Sequence, residues 1–389
     1  MKILLGIILS CFCSITMNAD ERIFIDGKIN NKPARFIFDT GFDVPCVLFL
    51  TTIQKFGLKV TPPSPDYQLG PGQIAAGRTE LCNLEIADTN VSTYFRVIES
   101  PAYLKFAADG ILGWPAVSNN IFSVDFLNHT FTFFTNIPED SLAWIKFCIP
   151  TNNGDLTLEL SANKSEKLVL AVDSGSHSGV ELNSKKWHEW SADHTNLAVT
   201  LDAYYTPNPG LVVKEESWAD KISLGALKLT DVPVREADSS DIALHTSPQT
   251  KYEATLGLAA LKRLDIVIDG KRGIAYLRPK KTPSLPYDHN RIGAVFVPRN
   301  LQSDDLVAHV VSSSPAYEAG IRSDDVLLKI GELDTTKWRT DPNILPFSRF
   351  FNSPAGTKLE LTLKRRDKIF TTTAVLRNIL PPDEPKNSD

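Results

Sequence analysis

Apolar and polar residues alternate in short runs along most of the chain, and the runs come in two matched sets. The first set opens with RIFIDGKINNKPARFIFDTG at residues 22–41 and the second with LTLELSANKSEKLVLAVDSG at 156–175. Each is a β-rich run, a polar turn and a second apolar run ending in Asp-Thr-Gly or Asp-Ser-Gly, which predicts a β-hairpin. Further on, GILGWPAVSNNIFSVDFLNHTFTFF (110–134) is matched by ATLGLAALKRLDIVIDGKRGIAYLR (254–278). In both, a Leu-Gly pair is followed twelve residues after its glycine by an aspartate in an apolar strand, Asp125 or Asp269, and then by another hairpin. Short helices are expected only beside turn signals, in TTIQKF and AALKRL. β-branched and aromatic enrichment elsewhere predicts sheets.

Two duplicated β lobes therefore account for residues 20–143 and 144–280. A Pro-rich polar stretch, KTPSLPYDHN, reads as a linker over 281–290. A third, smaller α+β unit follows over 291–379, and LPPDEPKNSD at 380–389 has the composition of a disordered tail.

Composition narrows the function. The 389 residues are 42% hydrophobic and 22% charged with a net charge of −5, and no basic block stands out, so nucleic acid is not an expected partner. The opening MKILLGIILSCFCSITMNAD has one lysine, a short apolar run and Ala19 before a polar start. That is the layout of a signal peptide over residues 1–19, and it predicts an exported protein. The ILSC stretch loosely suggests a lipoprotein cysteine, but the segment before it is short. No later run is long enough for a transmembrane span. Cys46, Cys82 and Cys148 lie beyond the leader, an odd number without CxxC spacing, so neither a zinc site nor a disulfide framework is indicated.

A carboxylate at the end of a buried strand is costly unless something uses it. One Asp-x-Gly is ordinary turn chemistry, but two matched copies invite a joint role. Two carboxylates brought together hold one proton between them, so one acts as acid while the other acts as base. Such a pair activates water for attack on a peptide carbonyl without a metal or cofactor. Thr40 and Ser174 can bond across to the partner loop, and Gly41 and Gly175 let backbone N–H groups approach the carboxylates.

FDTG and VDSG, each with its own later Leu-Gly segment, resemble the two lobes of a pepsin/retropepsin-like aspartic protease over about residues 22–279. The resemblance implies Asp39 and Asp173 as the catalytic dyad, with Thr40, Gly41, Ser174, Gly175 and Ser176 as supporting loop residues. It also implies a polypeptide substrate, no cofactor and no metal. A substrate-covering flap would fall on DYQLGPGQIAAG (66–77), with Tyr67, Gly70 and Gly72 as its candidates. The first lobe departs from the family after the glycine, where Phe42 and Asp43 replace the usual small or hydroxyl residue. A missing hydroxyl donor and an added negative charge favour protonation of the pair, which predicts a pH optimum above the strongly acidic range. The alternative is a catalytically silent peptide-binding or scaffold protein on the same fold.

The C-terminal VVSSSPAYEAGIRSDDVLLKIGE resembles a PDZ domain. That resemblance implies a peptide or C-terminus bound by strand addition along Ile292, Gly293, Ala294, Val295 and Phe296. Two other motifs are set aside. In DSGSHSG the Asp, Ser and His are too close along the chain to converge as a triad, and His177 stands where G-x-S-x-G needs serine. HEWSADH places its histidines six apart, which does not put them on one helix face, and reads as a surface loop.

Overall fold

The first hairpin forms as its pattern requires. Phe24–Ile29 pairs antiparallel with Lys32–Asp39, and the two residues between them, Asn30 and Asn31, take φ of 47° and 66°. Asparagine tolerates that left-handed backbone, and a two-residue loop of this hand matches the twist of the strands it joins. The structure, a computed structural model, describes residues 12–14, 23–42, 44–62, 74–86, 89–99, 108–150, 154–161, 167–194, 197–205, 211–237, 252–281, 287–300, 303–341 and 343–380. Among the described residues the molecule is mainly β, with sheets of thirteen, seven and six strands.

The two sets of strands seen in the sequence fold alike. In the first unit the order is Phe24–Ile29, Lys32–Asp39, Gly110–Gly113, Cys46–Phe49, Thr89–Glu99, Ile74–Ile86. In the second it is Thr157–Ser161, Lys167–Val172, Ala254–Leu256, Val180–Leu182, Leu227–Glu236, Leu211–Leu224. The registers match as well. Phe38 lies opposite Leu112 in a parallel pair, as Val172 lies opposite Leu256. Cys46 faces Leu112 in an antiparallel pair, as Val180 faces Leu256. Thus each Asp-bearing strand runs beside its own Leu-Gly segment.

The strands that follow join the units. Ile121–Asp125 pairs antiparallel with Leu264–Asp269, with Ser123 opposite Val267 at the centre and Val124–Ile266 and Phe122–Ile268 on either side. Exchanging the two copies maps this register onto itself, so an approximate two-fold axis passes through the Ser123–Val267 pair. Around it, Phe122 stacks on Phe131 at 4.7 Å and Phe131 meets the edge of Phe38 at 5.3 Å. Fully burying one such ring contributes roughly 1.5–3 kcal/mol, and these rings, all from the first unit, belong to a core that both units share. Asp125 and Asp269 end their strands in turn bonds: Asp125 accepts from the Leu127 and Asn128 amides, and Asp269 from that of Arg272. The predicted short helices occur at Ile53–Phe56 and Leu258–Leu261.

Phe12–Ser14, within the segment read as a leader, pairs antiparallel with Thr130–Phe134 at the end of the thirteen-stranded sheet. HEWSADH is not a loop: Ser184–Ala192 is an α-helix whose N-terminus is capped by the Asn183 side chain, which accepts from the Lys186 amide. His spacing tests for metal ligation and says nothing of helix formation, which here follows from the cap and from Trp187 and Trp190 packing on the core.

The C-terminal unit has its own core of Ile292, Ala294, Phe296, Leu306, Leu327, Leu361 and neighbours. Its SSSPAYEAG run folds as a capped turn: the Ser314 hydroxyl accepts from the Tyr317 amide, Pro315 opens the helix Pro315–Glu318, and Gly320 at φ 85° follows it. The end of the stretch read as a linker is anchored. The Asn290 amide donates to the Leu201 and Ala294 carbonyls, and Thr200 donates to the Asn290 carbonyl at 2.6 Å. Val295 and Val297 pack on Leu201 of the second unit.

Candidate active site

Thr40 and Ser174 are the two most telling residues, because each loop is tied to the other by the same pair of bonds. The Thr40 hydroxyl donates to the Val172 carbonyl at 2.7 Å and accepts from the Ser174 amide at 3.0 Å. Reciprocally, the Ser174 hydroxyl donates to the Phe38 carbonyl at 2.9 Å and accepts from the Thr40 amide at 3.0 Å. Both side chains are buried. Four bonds thus cross between loops 134 residues apart, and none can be lost without stranding a buried polar group.

The lattice holds the carboxyl groups of Asp39 and Asp173 at one place. Asp39 Oδ1 accepts from the Gly41 amide at 3.0 Å, and Asp173 Oδ1 accepts from the Gly175 and Ser176 amides at 2.8 and 3.1 Å. Each glycine also lies against the opposite carboxyl. A Cβ on Gly175 would stand 2.3 Å from Asp39 Oδ2, and one on Gly41 would stand 2.9 Å from Asp173 Oδ1. Only glycine fits between the two acids, so its role here is close approach rather than an unusual backbone angle.

Ser176 behaves differently from its expected part. Its amide, not its hydroxyl, reaches Asp173; the hydroxyl donates to Glu181 Oε1 at 3.2 Å and lies 2.9 Å from the Ser178 hydroxyl. Phe42 in place of a hydroxyl residue therefore does not deprive Asp39 of a hydroxyl bond that Asp173 has. Asp43 and the candidate flap residues Tyr67, Gly70 and Gly72 lie outside the described residues.

Glu181 belongs to a charge network that no sequence spacing reveals. Arg235, 2% exposed, bonds Glu181 Oε1 at 2.6 Å and Asp202 Oδ2 at 2.7 Å. His177 Nε2 lies 3.0 Å from the same Asp202 oxygen, and the Tyr287 hydroxyl donates to Glu216 Oε1 at 2.7 Å. Burial opposes the charge on Glu181, but Arg235 and the hydrogen bonds around it hold the carboxyl below its usual range. Burial likewise opposes the charge on Asp202, yet His177 and Arg235 hold it well down. The Asp202 carboxylate pushes His177 up. Burial, with Asp202 nearby, pushes Glu216 up to about 7. A charged residue inside the apolar VEL strand was the one visible sign of this cluster.

The groove residues proposed from the C-terminal pattern sit together at one strand but face two cores. Ile292, Ala294 and Phe296 point into the C-terminal unit and Val295 toward the second β unit. The Ile292 and Gly293 amides both donate to Asn290 Oδ1 at 3.1 Å. The donors expected to meet a peptide carboxylate are engaged by this side chain.

Among the described residues no group of three or more His, Cys, Asp or Glu could hold a metal ion, and no helix is long and apolar enough to cross a membrane. Cys46, Cys82 and Cys148 are free thiols. No protein-family model matches the chain, and no curated protein matches it.

Proposed function

We propose that the chain is an exported aspartic-type endopeptidase of the two-lobed pepsin/retropepsin kind, carrying a PDZ-like unit at its C-terminal end. The observation that carries this reading is the reciprocal Thr40–Ser174 lattice, which sets Gly41 against the Asp173 carboxyl and Gly175 against the Asp39 carboxyl. Two acids this confined share one proton. The deprotonated member takes a proton from water, the water oxygen attacks the peptide carbonyl, and the protonated member hydrogen-bonds the developing oxyanion. A proton then passes to the leaving nitrogen as the C–N bond breaks, and the dyad returns to its singly protonated form. All of this needs only the two side chains and water.

Export follows from the leader-like residues 1–19; its removal would take away the strand Phe12–Ser14 and leave Thr130–Phe134 at the sheet's edge. In the C-terminal unit, peptide docking would require Asn290 to release the Ile292 and Gly293 amides. The test is cleavage of an unfolded protein substrate from pH 3 to 8 by the wild type and by Asp39→Asn and Asp173→Asn. Cleavage by the wild type alone supports the reading. Cleavage by neither wild type nor variants at any pH, or equal cleavage by all three, overturns it.

A further inference from the structure

Ser176 and His177, the two residues that follow the gripping glycine of the second loop, are each tied through one carboxylate to the same guanidinium. Ser176 donates its amide to Asp173 and its hydroxyl to Glu181, which Arg235 Nη2 holds. His177 bonds Asp202, which Arg235 Nη1 holds. Arg235 is itself fixed between two strands, opposite Glu181 on one side and Glu216 on the other. We propose that Arg235 is a positioning residue that clamps the Asp173 loop through Glu181 and Asp202, and that the charge on His177 makes this clamp pH-dependent. The inference rests on the dyad reading for its effect on catalysis, but the clamp itself does not.

Among the described residues the first loop shows no such device. The positions matching Ser176, Ser178 and Glu181 are Phe42, Val44 and Val47, which pack in a small apolar cluster with Phe49 and Ile98. The position matching Arg235 is Arg96, which faces solvent. The described residues behind the first loop thus pack as an apolar cluster, while those behind the second form an ion network.

The groups facing the clamp set the direction of its response. His177, with a side chain 52% exposed, exchanges protons freely with solvent, and its attraction to Asp202 is present while it is protonated. Raising the pH through its elevated midpoint removes that charge. Glu216 ionises at about 7, which adds a second buried negative charge beside Asp202. Tyr287, pushed up by burial and by Glu216, stays neutral there. Lys214 lies opposite Asp202 on the neighbouring strand, and Arg263, near Tyr287 and pushed down by burial to about 10, stays charged. Both titrations therefore loosen the Asp173 loop as pH rises past neutrality.

The experiment compares the full chain with His177→Gln and Arg235→Lys variants. Its readouts are the pH profile of cleavage of an unfolded protein and the hydrogen exchange of the Ser176 amide, corrected for its intrinsic pH dependence. For the wild type we expect kcat to fall by about fivefold to tenfold between pH 5.5 and 8 with KM nearly constant, as misplacement of a catalytic group predicts. Ser176 protection should fall with it. His177→Gln should start at the lower activity and weaker protection and lose the step in both, while Arg235→Lys should keep the step at reduced amplitude. A His177→Gln profile that superimposes on the wild type in activity and in exchange overturns the clamp. If the wild type cleaves nothing, the protease reading fails, and exchange alone decides: protection that follows the charge of His177 sustains the clamp, and equal protection in both proteins overturns it.

Discussion

Downstream of Asp39 the chain places Phe42, Val44, Val47 and Phe49; at the matching places after Asp173 it has Ser176, Ser178, Glu181 and Asn183. The strands beneath match in order, and those that carry the two loops match in register, and the hydroxyl lattice between the loops is reciprocal. The differences begin where the symmetric machinery ends, one residue past each glycine. A duplicated frame thus sets two carboxyl groups at matching positions, one taking one amide and the other two, while the packing behind each loop is free to diverge. Because an apolar cluster and an ion network respond to different variables, the two halves of one site can be perturbed separately.

The most severe perturbation gives the first unit the chemistry of the second. Val47→Glu buries a carboxylate in an apolar cluster with no guanidinium beside it, and should cost about 4 kcal/mol or more in urea unfolding. The reverse change, Glu181→Val, leaves Arg235 one carboxylate short and should cost about 2–3 kcal/mol. Adding Arg235→Met to it should recover part of that loss, since removing both partners of a buried pair is milder than removing one. A double variant less stable than the single would show that the network is not the counterpart of the apolar cluster.

Next comes the lattice that makes the loops alike. Ser174→Ala strands the Thr40 amide and the Phe38 carbonyl, and Thr40→Ala strands the Ser174 amide and the Val172 carbonyl. Each should cost about 2 kcal/mol, and the two costs should agree to within about 1 kcal/mol. Unequal costs would mean that the grip is carried from one side.

The smallest effect is on the pH dependence of stability. Glu216 has a folded midpoint raised to about 7, so its contribution is fully present below its unfolded value and is lost as pH rises through 7. His177 acts in the same sense, since its folded midpoint is also raised. Glu181 and Asp202, with lowered midpoints, act oppositely and lose their contribution only as the pH falls through the acid range. Urea midpoints should therefore fall between pH 5 and 8, and Glu216→Gln should flatten the part of that slope that lies below about 7. Tyr287→Phe removes one hydrogen bond to Glu216 and should lower stability by about 1 kcal/mol.

How far the chain could be read in advance follows from which contacts are local. The hairpins were legible because strand alternation and the Asn30-Asn31 turn are properties of neighbouring residues. The grip between Thr40 and Ser174 was legible because the same tripeptide occurs twice, which turns a long-range contact into a visible repeat. The ion network was not, since Glu181, Asp202, Glu216 and Arg235 come from four separate strands, His177 and Tyr287 from two loops, and they share no spacing. The helix at Ser184–Ala192 differs again: histidine spacing bears on metal ligation, whereas the local signal for the helix is the Asn183 cap before it. The stretch KTPSLPYDHN has linker composition, yet Tyr287 and Asn290 tie its end to the second unit, a contact that composition does not encode.

The central claim is that Asp39 and Asp173 act as one unit on one water. Its most direct measurement is the cleavage rate of an unfolded protein by Asp39→Asn, Asp173→Asn and the double variant, each against wild type at the wild-type optimum. Residues that act as a unit are non-additive, so all three variants should fall to the same floor, at least about 1,000-fold below wild type. A single variant that retains substantial activity, or a double variant far below both singles, would contradict the claim.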